Sequence, residues 1–152
     1  MISTIRYVSS KQQLIDAVEA VLKNDPKPDI MISGVWPRAL HESIIELIID
    51  KQSCSSCKII IPKLLFKGDI SLSLLRSVCK EEGQVRVNNT ITNNIMMIGE
   101  FAIILSFSSR LNSLGMMNIN FECAVMTDDK EIVKELRTQL DSVFENSVLF
   151  RM

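Results

Sequence analysis

Apolar positions in the first half of the chain recur with two alternating periods, which predict strands separated by helices. Short runs rich in aliphatic residues predict four strands, at Ile2 to Val8, Asp29 to Ser33, Lys58 to Ile61 and Gln84 to Val87. Between them, helical spacing predicts buried stripes formed by Leu14, Val18 and Val21, by Leu40, Ile44, Leu47 and Ile48, and by Leu72, Leu75, Val78 and Cys79. Ser10 and Gln13 form a capping-box pattern that marks the start of the first helix.

The second half of the chain predicts a hairpin, a loop, a strand and a closing helix. Ile95 to Ile98 and Phe101 to Phe107 predict the hairpin, and the segment Ser108 to Asn118, which contains Ser, Asn and Gly, predicts a loop. Asn120 to Met126 predicts the last strand, and Asp128 is expected to cap the helix that follows. The buried stripe of this helix is predicted to consist of Ile132, Leu136, Leu140 and Val143.

This order of elements predicts an α/β fold with a mixed, largely parallel sheet flanked by helices on both faces. The unbroken apolar run from Ile59 to Ile61 is typical of a parallel strand that is buried on both sides. No useful repeat and no linker composition divides the chain, so residues 1–152 are predicted to form a single domain.

Composition narrows the classes of protein that the chain can represent. Hydrophobic residues make up 47% and charged residues 23%, which is typical of a folded globular protein. The formal net charge of −1 provides no basic excess for non-specific nucleic-acid binding. Met1 to Ser10 lacks a signal-peptide core, and Phe101 to Leu105 is too short to span a bilayer. A cytoplasmic protein with reduced thiols and no membrane contact is therefore expected.

A polar stretch before the predicted hairpin determines the functional interpretation. It contains Thr92 and Asn94, and Gly99 stands at the turn after the first hairpin strand. Further along, the last strand contains Asn120 and Glu122, one residue apart. In this order of strands, the residues resemble one repeat of the phospholipase D superfamily. That family carries His-x-Lys-x4-Asp in the first region and Asn-x-Glu in the second.

The resemblance places Thr92 at the family's His position, Asn94 at its Lys position and Gly99 at its Asp position. Asn120 and Glu122 match the second pattern. The family's reaction needs an imidazole nucleophile and a Lys cation beside the phosphate. Hydroxyl and amide side chains supply neither group, so the resemblance implies the fold without that catalytic chemistry.

Similar catalytically silent domains serve as sensory parts of TrmB-type regulators. By this resemblance, the chain is expected to be a non-catalytic ligand-sensing and dimerisation domain of an intracellular transcription regulator. Its expected partners are a second copy of itself and a small polar or anionic effector, with DNA contacted only through a separate domain. No metal and no cofactor is expected. Two alternatives stay open: a scaffold without a ligand, and a hydrolase or nuclease of the superfamily that uses Cys54, Cys57 or Thr92 as its nucleophile.

Four further candidate ligand-binding residues lie near predicted strand ends. Trp36 and Arg38 follow a predicted parallel strand, at the end of the sheet where open α/β folds bind ligands. An aromatic face beside a guanidinium suits a small ligand, although Trp36 is equally suited to packing the loop down. By the resemblance, Ser106 stands at the Gly position of a Gly-Ser pair. Arg110 lies among serine hydroxyls that suit an anion, and a solvated loop is the alternative.

The cysteine pair and the histidine have weaker functional interpretations. Cys54 and Cys57 form a Cys-x-x-Cys that fits half a zinc site or a redox pair, but no second pair completes a metal site. Structural thiols are the alternative. His41 is predicted to lie on the polar side of a helix, as a general base or, more simply, as a solvated or capping residue. The isolated glycines build no phosphate-binding loop.

Overall fold

The computed structural model describes residues 3–25, 27–62, 71–91, 93–111, 113–115 and 117–150. Its strands are β1 (Ile5–Val8), β2 (Ile30–Ser33), β3 (Cys57–Ile61), β4 (Gln84–Val87), β5 (Ile95–Ile98), β6 (Phe101–Leu111), β7 (Met117–Thr127) and β8 (Val148–Leu149). Its helices are α1 (Lys11–Asn24), α2 (Arg38–Asp50), α3 (Ser71–Lys80) and α4 (Lys130–Glu145), with a 3₁₀ turn at Cys54–Ser56. These strands form one sheet in the order β1-β7-β6-β5-β2-β3-β4-β8.

The sheet is mixed, as predicted, but it is largely antiparallel, so the prediction of a largely parallel sheet is wrong. Among the described strands, only the β2–β3 and β3–β4 pairs run parallel, and five pairs run antiparallel. Helical crossovers α2 and α3 connect the parallel strands, whereas β5, β6 and β7 follow one another as hairpins. β1 lies at the far edge beside β7, although α1 and β2 follow it in the chain.

Helices cover both faces of the sheet, as predicted. Successive strand residues point to opposite faces, so the side chains of each strand divide between two core clusters. On β2, Ile30 and Ile32 belong to the larger cluster, which includes residues of α1, α2 and α3. Met31 belongs to the smaller cluster, which includes residues of α4. Within the described ranges, no helix is long and apolar enough to cross a membrane.

Helix α1 begins where the sequence pattern predicts. The Oγ atom of Ser10 accepts a hydrogen bond from the Gln13 N–H at 3.1 Å. In return, the Gln13 side chain accepts a hydrogen bond from the Ser9 N–H at 2.9 Å. Both bonds join residues no more than four positions apart, which is why a sequence pattern was sufficient to predict them.

Helix α4 is capped by Asp129, so the prediction of Asp128 as the cap is wrong. The Oδ1 atom of Asp129 accepts hydrogen bonds from the Glu131 and Ile132 N–H groups, each at 3.1 Å. Asp128 instead accepts a hydrogen bond from the Thr4 N–H at 2.6 Å. The cap position therefore depends on a chain segment more than 120 residues away, which local spacing does not reveal.

The buried stripe of α4 differs from the prediction at its first position. Ile132 is exposed, whereas the neighbouring Val133 is buried with Leu140 and Phe144. Leu136 is half-buried against the same cluster. The stripe faces the part of the sheet that contains β2, β3 and β5, and Ile132 lies outside it.

Strands β6 and β7 continue beyond the rest of the sheet, so the predicted loop from Ser108 to Asn118 is too long. Residues 108–111 and 117–118 are strand, and residues 113–115 lie in the turn between the strands. β5 pairs with β6 only along Phe101 to Ile104, and β1 pairs with β7 only along Ala124 to Thr127. We call the two-stranded segment formed by residues 107–111 and 117–121 the hairpin arm. The β6 half of the arm is polar from Ser108 to Arg110, so the pattern of apolar positions there does not distinguish it from a loop. In the β7 half, Met117, Ile119 and Phe121 do alternate with asparagines, but the run is short.

Candidate functional site

Asn94 lies against the turn that follows β2. Its Oδ1 atom accepts a hydrogen bond from the Val35 N–H at 3.0 Å. Gly34 has a φ of +122°, and a Cβ atom there would overlap Asn94 Oδ1 and lie 2.8 Å from the Asn93 carbonyl oxygen. Only a residue without a side chain allows this close approach. The Asn94 amide therefore supports the backbone at the position where the resemblance would place a Lys cation.

Trp36 follows the same turn and is fully buried. Its indole N–H donates a hydrogen bond to the Ser33 carbonyl oxygen at 2.9 Å. The ring packs edge-on against His41 and Phe107, with centroid distances of 5.9 and 5.7 Å. In this position Trp36 joins the end of β2 to α2 and to the hairpin arm, and its ring presents no open face to a ligand.

Arg38 is the first residue of α2 and points away from this core. Its Nε atom donates a hydrogen bond to Glu42 Oε1 at 3.1 Å, one helical turn further on. Both side chains retain contact with solvent, and exposed pairs of this kind contribute little to stability. The guanidinium therefore lies near the carboxyl end of β2, as predicted, but beside a carboxylate.

Ser106 on β6 and Glu122 on β7 meet on neighbouring strands near one edge of the sheet. The Ser106 Oγ atom donates a hydrogen bond to Glu122 Oε1 at 3.1 Å, and both residues are exposed. Ser106 pairs with Cys123 and Phe107 pairs with Phe121, so Glu122 is the extra residue of a β-bulge. Bulges redirect side chains and are frequent next to functional sites.

The other predicted polar residues lie further along the hairpin arm. Asn120 is opposite Ser108, and Arg110 is opposite Asn118. Asn120 and Arg110 are exposed. Arg86 is not part of this group, because its guanidinium stacks on the Phe144 ring, 4.2 Å from the centroid, and donates a hydrogen bond to the Phe144 carbonyl oxygen.

One described position of the family pattern, Gly99, does not join this group. Thr92 lies outside the described residues. Gly99 forms the β5–β6 turn at the opposite end of β5 from Asn94, and its carbonyl oxygen accepts a hydrogen bond from Arg137 at 2.8 Å. The described structure thus brings Ser106 and Glu122 into contact and leaves Asn94 and Trp36 in supporting positions.

His41 is buried in α2, so the prediction of a solvated or capping histidine is wrong. Its Nε2 atom has no hydrogen-bond partner among the described residues, and the ring packs against Trp36. Burial lowers the pKa of His41 to about 4, although the nearby Glu42 carboxylate acts in the opposite direction. At neutral pH the imidazole is therefore uncharged and lies within the core.

The buried imidazole predicts a loss of stability in acid. The unfolded chain protonates His41 near pH 6.5, whereas the folded chain does so only near pH 4. Between these values the unfolded state binds more protons, so the free energy of unfolding should fall by about 3 kcal/mol from pH 7 to pH 4. Urea unfolding across this range measures the fall, and NMR of the chain's single histidine measures its pKa directly.

The variant His41→Gln is the control, because glutamine does not titrate. Its free energy of unfolding should depend less on pH than that of the parent. Asp128 and Asp129, whose pKa values are lowered mainly by backbone hydrogen bonds from Thr4 and Ile132, are present in both proteins. Their contribution to the pH dependence of the free energy of unfolding is therefore the same in the parent and the variant, and it cancels when the two curves are subtracted. Parallel curves for the two proteins would show that His41 does not cause the fall.

Cys54 and Cys57 are both buried beside the start of β3. Desolvation raises the pKa of both thiols, most strongly for Cys57. A thiol becomes a nucleophile or a metal ligand as the thiolate, and burial disfavours that form. Within the described ranges, no group of three or more metal-binding side chains occurs. Their burial therefore favours a structural role for Cys54 and Cys57 over a metal site or a redox pair.

A groove of about 580 Å³ lies at the other end of the sheet, between β1, the end of α1 and the β5–β6 turn. Sequence reasoning did not identify it, because its walls come from four separate elements. The only local signal is the pair Ala17 and Ala20 on α1, whose small side chains leave space. The charged residues that line the groove are Arg6, Asp25 and Glu100. Of the predicted ligand-binding residues that the structure describes, none lines the groove.

No family sequence profile and no curated protein sequence matches the chain. Solved structures do match it. TrmBL2, reported as an archaeal chromatin protein with a novel mode of DNA binding, aligns with a TM-score of 0.64 and 13% identity over 96% of this chain. The alignment covers 54% of TrmBL2, so this chain spans about half the length of that protein.

Two bacterial structures match over their full length. Nuc from Salmonella typhimurium, reported as a phospholipase D family member, has a TM-score of 0.66 and 9% identity over 99% of this chain. NucT from Helicobacter pylori has a TM-score of 0.63 and 13% identity over 98% of this chain. Both alignments cover the whole of the other chain. The agreement in topology confirms that the chain has a phospholipase D-like fold.

Proposed function

We propose that the chain is a non-catalytic, ligand-sensing and dimerising domain of an intracellular regulator. The observation that carries the proposal is the structural use of Asn94, whose amide oxygen accepts a hydrogen bond from the Val35 N–H. A neutral amide engaged with the backbone cannot neutralise a phosphate in a transition state. Asn94, which the resemblance places at the position of a catalytic Lys, therefore serves to hold the backbone at Val35.

The location of the histidine supports the same proposal. The chain has one histidine, and it is buried in α2 against Trp36. A phospho-histidine intermediate needs an imidazole that the substrate can reach. Cys57, one of the alternative nucleophiles, is a buried thiol with a raised pKa. These observations favour binding over hydrolysis.

The exposed polar group on β6 and β7 is the binding site that we propose. The Ser106–Glu122 pair provides a hydroxyl and a carboxylate, and Asn120 and Arg110 add an amide and a cation on the hairpin arm. These groups suit a small polar or anionic effector. We assign any DNA contact to a separate domain, because a net charge of −1 provides no basic excess.

A thermal-shift screen of sugars, nucleotides and small metabolites tests the proposal. A ligand that binds only the folded state at 100 times its Kd stabilises it by about 2.7 kcal/mol, or about 5 to 10 °C in Tm for a domain of this size. The variant Glu122→Gln should abolish the shift if the Ser106–Glu122 pair holds the effector. Glu100→Gln, which changes an exposed carboxylate at the other end of the sheet, should preserve it.

Three outcomes would contradict the proposal in different ways. Turnover of bis(4-nitrophenyl) phosphate by the parent, lost in Thr92→Ala, would establish the hydrolase alternative. Loss of the shift in Glu100→Gln but not in Glu122→Gln would move the binding site to the groove. No shift across the screen, together with no turnover, would leave the scaffold without a ligand as the function.

A further inference from the structure

The groove between β1, the end of α1 and the β5–β6 turn has opposite charges at its two ends. Its floor crosses neighbouring strands, with Arg6 on β1, Met126 on β7 and Phe101 on β6. Arg6 and Met126 are partners in register, so both side chains point to the face of the sheet that α1 covers. Asp25, after α1, and Glu100, in the β5–β6 turn, line the groove on the far side of β6. A cation therefore stands at one end and two carboxylates stand at the other.

The two carboxylates meet at the β5–β6 turn. Asp25 Oδ2 lies 3.5 Å from the point where a Cβ atom on Gly99 would stand, and Glu100 is the next residue of the turn. Asp25 is also the C-cap of α1, where the last carbonyl groups of the helix add a partial negative charge. Lys23, the cation in the last turn of α1, pairs with Glu19 at 3.7 Å and does not line the groove. This end of the groove therefore suits a positively charged group.

The charged groups of the groove are accessible, and the space between them is apolar. Arg6, Asp25 and Glu100 are exposed, and none of the three forms an ion pair with another described residue. The volume of about 580 Å³ is in the range of small-ligand sites. Small or apolar side chains line the middle of the groove, namely Ala17, Ala20, Val21, Phe101 and Met126. The groove therefore suits a ligand with an apolar body and opposite charges at its ends.

Hydrogen bonds hold both walls of the groove in place before a ligand binds. At the β5–β6 turn, the Gly99 carbonyl oxygen accepts a hydrogen bond from Arg137 at 2.8 Å. At the other wall, the Thr4 N–H donates to Asp128 at 2.6 Å, and the Thr4 carbonyl oxygen accepts from the Thr127 hydroxyl at 2.9 Å. A backbone that is already fixed loses little entropy when a ligand binds.

The separation of the charges fits a short peptide better than a single amino acid. β1 and β5 are three positions apart in the strand order, which separates their backbones by about 14 Å. The Arg6 and Glu100 side chains extend into this interval and shorten it. Two or three extended residues span roughly 7 to 10 Å, so a dipeptide or tripeptide can reach both ends. In a single α-amino acid the ammonium and carboxylate groups share one carbon atom, and they cannot.

We infer that the groove binds a short peptide with free termini. The ammonium group of the peptide lies beside Asp25 and Glu100, and its carboxylate lies beside Arg6, whose guanidinium can donate two parallel hydrogen bonds to it. The side chains of the peptide pack against the apolar middle of the groove.

This site is separate from the proposed effector site. Phe101, which lines the groove, and Ser106, which bonds to Glu122, lie on the same strand and are separated by roughly 17 Å. The inference therefore goes beyond the proposed function and does not depend on it. Because the effector screen contains no tripeptide, the two tests can fail independently.

The test uses the tripeptide alanyl-leucyl-alanine and two blocked forms of it. The N-acetylated form lacks the ammonium charge, and the C-amidated form lacks the carboxylate charge. NMR titration of the ¹⁵N-labelled chain to millimolar peptide measures each dissociation constant and identifies the amide signals that shift. We expect shifts at the residues that line the groove. Each blocked form should bind the parent about tenfold more weakly or worse, because one charged end of the groove loses its partner.

Variants of the groove assign each charge of the peptide to its partner. In Arg6→Gln, amidation should change the dissociation constant by less than about threefold, whereas acetylation should still raise it about tenfold. In Asp25→Asn/Glu100→Gln this pattern should reverse. Arg76→Gln and Glu145→Gln are the matched controls, because both residues are exposed and lie on α3 and α4, outside the groove. Both controls should bind all three peptides as the parent does.

Three results would overturn the inference. Groove signals that do not shift at millimolar peptide would show that the groove does not bind it. Blocked peptides that bind the parent as tightly as the free tripeptide would exclude recognition of the termini by Arg6, Asp25 and Glu100. Free leucine that binds as tightly as the tripeptide would contradict the assigned separation of the charges. Each of these results leaves the effector site on β6 and β7 to the thermal-shift screen.

Discussion

Replacing Gly34 with alanine is expected to lower the free energy of unfolding by about 4 kcal/mol or more. Two costs combine, because a φ of +122° is strained for alanine and the added Cβ meets the Asn93 carbonyl oxygen and the Asn94 Cα at 2.8 Å. Both of those contacts are with backbone atoms, which cannot rotate away as a side chain does. Urea unfolding followed by circular dichroism measures the loss.

A second glycine provides the matched control. Gly115 also has a positive φ, of +75°, but a Cβ there meets nothing within 4 Å. Gly115→Ala should therefore show the conformational cost alone, about 1 kcal/mol. If Gly34→Ala costs no more than Gly115→Ala, the close approach of Asn94 to the β2 turn is not a feature of the folded protein.

A double variant separates the side-chain contact from the backbone contacts. Asn94→Ala alone should cost about 1 to 2 kcal/mol, because the Val35 N–H loses its acceptor. In Gly34→Ala/Asn94→Ala the new methyl group no longer overlaps Oδ1, so the combined loss should be smaller than the sum of the single losses. Additive losses would mean that the Asn94 side chain does not limit the space above Gly34.

Truncating Trp36 to alanine is expected to cost about 4 kcal/mol. The ring is fully buried, packs against His41 and Phe107, and donates its N–H to the Ser33 carbonyl oxygen. The variant therefore loses a large apolar contact and leaves a carbonyl without its donor. Because Trp36 is the chain's only tryptophan, the measurement needs circular dichroism and not intrinsic fluorescence.

Two variants control for this result. Leu111→Ala, at an exposed position on the hairpin arm, should change the free energy of unfolding by less than about 0.5 kcal/mol. Trp36→Phe keeps an aromatic ring and should lose about half as much as Trp36→Ala, mainly through the missing N–H. A near-neutral Trp36→Ala would contradict the buried position and restore the interpretation of Trp36 as an exposed ligand contact.

Trp36→Phe also addresses the two roles that the sequence left open. If Trp36 only packs the turn, a folded Trp36→Phe protein should keep the effector-induced rise in Tm, whereas Glu122→Gln should lose it. The structure favours this result, since the ring lies in the larger core cluster and the Ser106–Glu122 pair is exposed.

Elements defined by short-range patterns were predictable from the residues themselves. β4 begins and ends at the predicted residues, Gln84 and Val87, and the Ser10–Gln13 cap forms as expected. Apolar stripes at helical spacing located each of the four helices that the structure describes. In each case the deciding interactions join residues within a few positions, so the linear order of apolar and polar side chains contains the information.

Long-range pairing settled the features that the pattern did not predict. β1 lies beside β7, Asp128 bonds to Thr4, and Ser106 meets Glu122 across a bulge. The β6 half of the hairpin arm is polar from Ser108 to Arg110 and pairs with β7, so it lacks the apolar alternation that identifies a strand in a sequence. Every residue type except proline has both backbone groups that strand pairing uses. Side-chain identity alone therefore does not determine which strands pair.

The same distinction applies to the candidate site, where the sequence fixes the chemistry of each side chain and the tertiary structure fixes its burial and contacts. That Thr92 and Asn94 are neither an imidazole nor a cation follows from their chemistry, wherever the chain places them. The burial of His41, and the hydrogen bond that Asn94 accepts from a backbone N–H 59 residues away, follow from the packing of β2, β5 and α2. Helix α4 likewise lies over β2, β3, β5 and the start of β6, and side chains of β1 and β7 such as Tyr7 and Val125 meet solvent. Residue type limits the chemistry available to a side chain, and the position of distant elements determines whether that side chain meets solvent, a partner or the core.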